Sequence, residues 1–507
     1  MATAVGATAS QQLTLGSAAG RWVVAAAVLG SGMASLDATV VNIPLPALGK
    51  DLHAAFDGLQ WTISSYTLTL ASLILLGGSL GDRFGRRRIF VTGTLWFAVA
   101  SALCAITPSI ELLVAARALQ GVGAALLTPG SLAMIQASFA EGDRGKAIGA
   151  WSGFGGIATA IGPFVGGYLV AGPGWRWVFL INLPVALVVI VLAQRHVPES
   201  RDPHAAPHLD ILGAALGAIG LGGVTYGLIA AGNGWSTLPV VALGLGILAL
   251  VAFGINERLS RSPMVPPDIF VNPQFTAANV ETFVVYAALS GLFFFLVVDL
   301  QVVAGFSPIL AGSALLPVTA IMLVLSSRMG ALTERIGPRL PMSLGPFIAA
   351  GGVLLLLRVG PSASFLLDVL PAVALFGLGL AVLVAPLTTT VLAAAPAEHA
   401  GVASGINNAV ARAAGLLAVA VLPLLAGISG DDYEHPETFA SGFRIAVLLC
   451  AALLLAGGAL AAVTIRNPRR HPAEPTRRRI ERHFCAIDGL PLHPQGSHQE
   501  RDVGAFR

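Results

Sequence analysis

The chain is 507 residues long, 55% of them hydrophobic and only 11% charged, with a formal net charge of +3. An ordinary soluble domain carries about 25% charged residues, so this chain cannot cover a water-facing globule with polar surface. The near-neutral charge gives no reason to expect a nucleic-acid partner, and Cys104, Cys450 and Cys485 stand too far apart for a disulfide framework or a CxxC metal site.

A bilayer core about 30 Å thick needs about 20 apolar residues as a helix. Fourteen such runs follow one another: Trp22 to Leu48, Leu59 to Leu80, Ile89 to Ile106, Ile110 to Phe139, Ala147 to Ala171, Trp177 to Ala193, Ile211 to Ala231, Pro239 to Ile255, Phe275 to Val298, Ile309 to Ser327, Pro341 to Leu357, Phe365 to Ala395, Val402 to Ile428 and Phe443 to Ile465. They are too long and uninterrupted for barrel strands, and open strands in lipid leave backbone groups unpaired. The fold class is therefore an all-α integral membrane protein with the lipid bilayer as its solvent. The first run contains Asp37 and Asn42 and reads as a retained span, not a cleaved signal.

Loops after even-numbered spans hold Arg83, Arg86, Arg87, Arg88, Arg144, Lys146, Arg195, Arg201, Arg258, Arg261, Arg335 and Arg339, whereas the alternate loops hold only Lys50, Arg176, Arg358 and Arg444. Basic loops stay cytoplasmic, so both termini are expected there. The loop Gly81-Asp82-Arg83-Phe84-Gly85-Arg86 is echoed by Glu334-Arg335-Ile336-Gly337-Pro338-Arg339, eight spans later. If spans seven and eight are inserted, each half has six spans and the echo falls at the same place in both. The expected organisation is a cytoplasmic segment 1–21, a six-helix bundle 22–194, a linker with two inserted helices 195–256, a cytoplasmic linker 257–274, a second six-helix bundle 275–465 and a disordered basic tail 466–507.

These residues carry a resemblance. Gly78 to Arg87 is similar to the major facilitator signature between spans two and three, and Leu36-Asp37-Ala38-Thr39-Val40-Val41-Asn42-Ile43-Pro44 resembles the first-span signature of the fourteen-span drug:proton antiporters. Arg117-Ala118-Leu119-Gln120-Gly121, Gly153 through Gly162-Pro163-Phe164-Val165-Gly166-Gly167, Trp175 to Pro184 and Gln301 to Pro308 resemble further motifs of that group, in the same order. The resemblance spans about Trp22 to Ile465. It implies a major facilitator fold of two six-helix bundles plus two inserted helices. It also implies multidrug efflux by alternating access, with Asp82, Arg83, Gly85, Arg86, Glu334 and Arg335 steadying one rocking state and the fifth-span glycines sealing a gate.

Asp37 lies about 15 residues into a span entering from one side, and Arg117 about 7 residues into a span entering from the other, which places both at similar depth. A carboxylate that gains and loses a proton beside an arginine is the minimum equipment for proton coupling, and a fixed structural ion pair is the alternative. Glu281 is the third coupling candidate. It reads either as a cavity-facing acid that binds a cationic substrate or as a hydrated interfacial one, and Asp299 reads as interfacial. Arg412 lies near the midplane of span thirteen with no partner identifiable from sequence. Asn42, Trp61, Tyr66, Gln120, Asn279, Gln301 and Asn407 are candidates for substrate binding, because aromatic and amide groups on apolar helices suit adaptable recognition. Gly149/Gly153 and Gly162/Gly166 are GxxxG pairs that allow close helix approach, and Pro163 kinks the helix.

Gly77-Gly78-Ser79-Leu80-Gly81 fits a hydrolase nucleophile pattern but ends a membrane helix, and His204 and His208 lack further ligands, so neither an enzyme nor a metal site is expected. No Walker loop is present, which leaves a proton gradient as the energy source and no cofactor. The expected activity is export of lipophilic or cationic small molecules in exchange for protons across a bacterial cytoplasmic membrane, with a monomer sufficient. A dedicated exporter of one secondary metabolite and a non-transporting membrane sensor remain as alternatives.

Overall fold

The computed structural model describes residues 13–202, 209–260, 262–395 and 400–467. His204, His208, Arg261 and the expected tail beyond residue 467 lie outside the described residues. Among these residues fourteen helices are long and apolar enough to cross a membrane, as a chain must be if lipid offers its backbone no hydrogen bonds.

The first half begins with α1 (Ala18–Val40) and a short α2 (Leu45–Leu52), followed by α3 (Phe56–Phe84), α4 (Arg86–Ile106), α5 (Ile110–Ser138) and α6 (Glu141–Ala171). It ends with α7 (Trp177–Leu180) and α8 (Asn182–His196). The apolar run from Trp22 to Leu48 is thus not one helix. Pro44 and Pro46 supply no N–H to the ladder, and the chain turns at Val41–Pro44 before α2 restarts along the surface. The inserted pair is α9 (Ile211–Ala231) and α10 (Thr237–Leu259).

The second half comprises α11 (Pro273–Val302), α12 (Pro308–Ser313), α13 (Leu316–Ile336), α14 (Arg339–Leu355), α15 (Leu370–Ala393), α16 (Ala400–Ala426) and α17 (Pro436–Thr464). Pro317, at the start of α13, divides span ten into α12 and α13. That span continues to Ile336, nine residues past the expected Ser327, because Arg328 and Glu334 are carried on the helix where it leaves the apolar layer.

Two seams join the halves. Along one, α9 lies against both α3 and α16, with the Trp61 ring packed at a tilt of 44° against Tyr226, 6.3 Å between ring centroids. The inserted helix therefore covers this seam. Along the other, α6 meets α12 and α13. The glycines of α6 act differently at its two ends. Gly162 abuts Thr39 of α1, Gly166 would place a Cβ 2.9 Å from the Val40 carbonyl oxygen, and Gly167 approaches the backbone of Pro308 and Ile309. Gly149 and Gly153, expected to pack closely as a GxxxG pair, have no neighbour within 4 Å. The spacing is right, but the helix end that bears them stands away from any partner.

Within the second half, α14 and α15 interlock through glycines. A Cβ at Gly379 would lie 2.6 Å from the Gly345 carbonyl oxygen and 2.7 Å from the Ala349 Cα, distances real Cβ atoms do not show. Gly379→Val is expected to remove most folded protein, measured as the monodisperse fraction on size-exclusion chromatography. An unchanged profile would mean the two helices are not packed backbone to backbone here.

Candidate functional site

The polar residues of the first half converge from five helices into one buried cluster. α1 carries Asp37, which is 0% exposed, and α5 carries Arg117, which is 1% exposed. A charge so far from water is costly unless it is paired and its remaining hydrogen-bonding capacity is met. Both conditions hold. Arg117 Nη1 donates to Asp37 Oδ2 at 2.6 Å and also to Gln120 Oε1, while Arg117 Nε donates to the Thr62 carbonyl at 3.1 Å. The guanidinium carbon sits 4.3 Å from the Tyr66 ring centroid and 5.8 Å from that of Phe179, so aromatic faces supply the rest of its surroundings.

The other carboxylate oxygen, Asp37 Oδ1, accepts from Gln120 Nε2 at 2.8 Å and Asn182 Nδ2 at 2.8 Å. Both amides donate in turn to Ser101 Oγ, at 2.8 and 3.3 Å. The motif from Trp175 to Pro184 now has a physical account. It delivers Phe179 and Asn182 to this cluster, and its first two residues clamp α2 from outside: Trp175 Nε1 and Arg176 Nη1 donate to Asp51 Oδ2 at 3.0 and 2.6 Å. Arg176, aided by the Trp175 indole, holds the Asp51 carboxyl below the usual carboxylate range. Asn182, Ser101 and Phe179 were not among the sequence candidates. A lone Asn and a lone Ser within apolar runs were the available signal.

The substrate-binding candidates do not share one cavity. Gln120 and Tyr66 are buried in the cluster just described, because Arg117 needs an acceptor and an aromatic face. Trp61 is turned outward to Tyr226 of the inserted pair. Asn42 Nδ2 bonds the Thr39 carbonyl at 3.3 Å where α1 breaks, and Gln301 Nε2 bonds the Ile43 carbonyl at 3.0 Å, joining α11 to the first half. Only Asn279 and Asn407 meet: Asn407 Nδ2 donates to Asn279 Oδ1 at 3.2 Å and to Thr282 Oγ1 at 2.8 Å, tying α16 to α11.

Glu281 is 0% exposed and Asp299 1% exposed, and neither oxygen of either side chain has a hydrogen-bond partner. The interfacial readings of both acids are thereby corrected, as is the cavity-facing reading of Glu281. Eighteen residues separate them, five turns at 3.6 residues per turn, so both lie on the same stripe of α11, which packs against α16 and α17.

The arginine-rich loops have a matching construction in each half. Gly85 and Gly337 end α3 and α13 with φ of 119° and 84°, values that L side chains rarely adopt. The helix that follows is capped by the residue three positions past the last helix of the same half. Glu199 accepts from the Arg87 and Arg88 N–H groups at 3.0 and 3.2 Å, and Asn467 accepts from the Arg339 N–H at 3.1 Å. Asp82 pairs with Arg86 one turn on, at 2.8 Å, and its carbonyl accepts from the Asp202 N–H. Arg83 lies over Phe84. In this state Asp82 and Arg86 form a clasp within one half.

On the side opposite these loops the halves are closed upon each other. Gln60 Nε2 donates to the Val419 carbonyl at 2.8 Å, the Tyr433 hydroxyl to the Ala54 carbonyl at 2.8 Å, and the Phe56 N–H to the Gly430 carbonyl at 2.8 Å. Phe56, Phe294 and Phe439 pack around them. On the arginine-rich side, Gly149, Gly153, Gly155 and Gly156 of α6 face open space and Phe154 is 55% exposed. The halves are therefore closed upon each other on the side opposite the arginine-rich loops, while this end of α6 stands clear of neighbours.

Two substitutions test this geometry. Asp37→Ala leaves Arg117 buried and unpaired, a loss of about 3–5 kcal/mol in comparable pairs. It should lower the thermal midpoint of the purified protein well below that of Asp37→Asn, which retains an acceptor. A midpoint for Asp37→Ala equal to that of the wild type would show the pair to be energetically idle. Gly162→Leu drives a side chain into Thr39 and the Leu36 carbonyl, so it should leave membrane insertion intact and prevent closure of the side opposite the arginine-rich loops, read as gained labelling of a cysteine placed at Val40.

Residues 27–419 match the Major Facilitator Superfamily. The chain is 38% identical to the puromycin resistance protein pur8 of Streptomyces alboniger over 83% of this chain and 87% of that one. It is 35% identical to the tetracenomycin C resistance and export protein of Streptomyces glaucescens, over 84% and 80% of the two chains. A peptide transporter solved in complex with sulfate shares the fold at a TM-score of 0.64 and 18% identity, covering 87% of this chain and 94% of that one. The match runs through both halves of the bundle, and the chain belongs to the Major Facilitator Superfamily.

Proposed function

We propose that this transporter exports antibiotic-like small molecules from a bacterial cell in exchange for protons. The arginine-rich side faces the cytoplasm, both termini are cytoplasmic, and the membrane is the cytoplasmic one, following the bias of basic loops. The state described here is then the inward-facing one. The relatives support export, since resistance or export stands in the names of both quoted above. The second of those names also favours the narrower reading, an exporter dedicated to a single metabolite, and neither name supports a sensor.

The observation that carries the coupling proposal is the buried contact of Asp37 with Arg117. In the inward-facing state the carboxylate accepts three hydrogen bonds, from Arg117, Gln120 and Asn182. A proton arriving on Asp37 from outside removes the negative charge that compensates Arg117 and converts an acceptor into a donor facing Gln120 and Asn182. The cluster must then rearrange, and because α1, α4, α5 and α8 all contribute to it, so must the packing of the first half. Glu281 is the second coupling group. A buried carboxylate without partners is costly, so its ionisation requires α11 to move toward water, and that ties proton release to the second half.

Everted vesicles loaded at acid pH test the reading. Adding lipophilic compounds, acidic and cationic, should release protons in the wild type and not in Asp37→Asn. Release by both would transfer coupling to Glu281, and release by neither would remove proton antiport. Tags on the two termini should be inaccessible from outside intact cells. An externally labelled terminus would reverse the orientation.

A further inference from the structure

Arg412 is an intramembrane cation that the coupling mechanism does not use. It lies about 12 residues into α16, about 18 Å from the start of the helix, near the middle of the bilayer. Two observations fix where it faces. Gly405 and Ala409 stand one turn apart on the stripe of α16 that leads to Arg412. A Cβ at Gly405 would lie 3.0 Å from Leu75 of α3, and Ala409 packs against the first-half core. The charge of Arg412 also acts on Tyr66 of α3 and on Tyr286 of α11. The guanidinium thus stands between the two halves, not toward lipid.

It is half-buried there, and among the described residues it makes no hydrogen bond or ion pair. None of the acids of the bundle described above pairs with it. Asp37 is held by Arg117, Gln120 and Asn182, Glu281 has no hydrogen-bond partner, and the cation acting on Asp299 is Arg444. Arg117 shows how this fold treats a permanent cation: it supplies a carboxylate, a carbonyl and two aromatic faces. Arg412 receives none of these, apart from tyrosines within electrostatic reach. Its neighbours Asn407 and Asn408 add amide groups on the same helix, Asn407 bonded toward α11 and Asn408 exposed.

We propose that Arg412 is the receptor for an anionic group of the transported molecule, a carboxylate or an ionised phenol on an otherwise apolar skeleton. This rests on the reading of the chain as an exporter and narrows its substrate class, against the expectation of cationic compounds. A planar guanidinium suits such groups because it presents paired donors to two oxygens, and its charge strengthens the bonds where water is scarce. An anion bound there also neutralises a charge that would otherwise resist closure of the halves around it.

The test is uptake into everted vesicles of a polycyclic aromatic carboxylic acid, its primary amide and ethidium as a lipophilic cation, in the wild type, Arg412→Lys and Arg412→Gln. The wild type should prefer the acid over the amide by about tenfold to a hundredfold, the range set by a charge-assisted hydrogen bond. Arg412→Gln should abolish the preference for the acid over the amide while leaving chromatographic behaviour unchanged, and Arg412→Lys should keep part of the preference. Equal uptake of acid and amide by the wild type, or a preference that survives Arg412→Gln, overturns the anion site. Transport of ethidium alone also overturns it and leaves the exporter reading standing, whereas transport of none of the three removes that reading and this inference with it.

Discussion

A permanent positive charge buried in a membrane protein must be compensated from within the protein, and the organisation of the first half follows from that demand on Arg117. Its guanidinium takes a carboxylate from α1, a carbonyl and an aromatic face from α3, an amide from its own helix and a second aromatic face from α7. Asp37 brings in Asn182 of α8, and the two amides that bond it meet at Ser101 of α4. Each bond contributes about 1 kcal/mol or somewhat more when charged, but their joint effect is geometric. Rotating any one of these helices by a fraction of a turn would strand a polar group with no water to receive it.

The second half is built on the opposite arrangement. Among the described residues Glu281 and Asp299 have no hydrogen-bond partners and Arg412 has none, and the polar junction of Asn279 with Asn407 and Thr282 is made of neutral groups. Neutral amide contacts exchange partners at low cost, whereas a saturated ion pair does not. A rigid half with its charges internally settled and a half with charges still to be settled is a division suited to exchanging ions and substrates. What the second half lacks in one state must come from a proton, a ligand or a new contact.

Spans and their order were legible in the sequence because length and apolarity alone decide them. The shared depth of Asp37 and Arg117 followed from counting residues at 1.5 Å each, since depth adds along a helix. Rotation does not. Trp61, Tyr66 and Gln120 were grouped as cavity residues by type, yet Trp61 points at Tyr226 and the other two at Arg117. Nothing in the apolar spans marks which face meets lipid, because every face is apolar and the usual amphipathic signal is missing. For the same reason Asp299 was placed at the interface by its nearness to a helix end, when its stripe of α11 turns it into the bundle. The GxxxG spacing at Gly149 and Gly153 suggested a packing surface, but nothing lies within 4 Å of it, because spacing along a helix does not say whether a partner stands opposite.

The paired caps explain how such a bundle can move without coming apart. Glu199 fastens the start of α4 to the chain leaving α8, and Asn467 fastens the start of α14 to the chain leaving α17, so each arginine-rich loop is bound to its own half. Between the halves, on the closed side, stand a few neutral hydrogen bonds and glycine contacts such as Gly167 against Pro308. Neutral hydrogen bonds of this kind are worth about 0.5–1.5 kcal/mol each in net stability. The strong interactions lie within each half and the weak ones between them. The exposed glycines of α6 at its other end, Gly149 and Gly153, take no part in either set: nothing lies within 4 Å of a Cβ placed there, whereas Gly162 and Gly166 bind α6 to α1 of the same half.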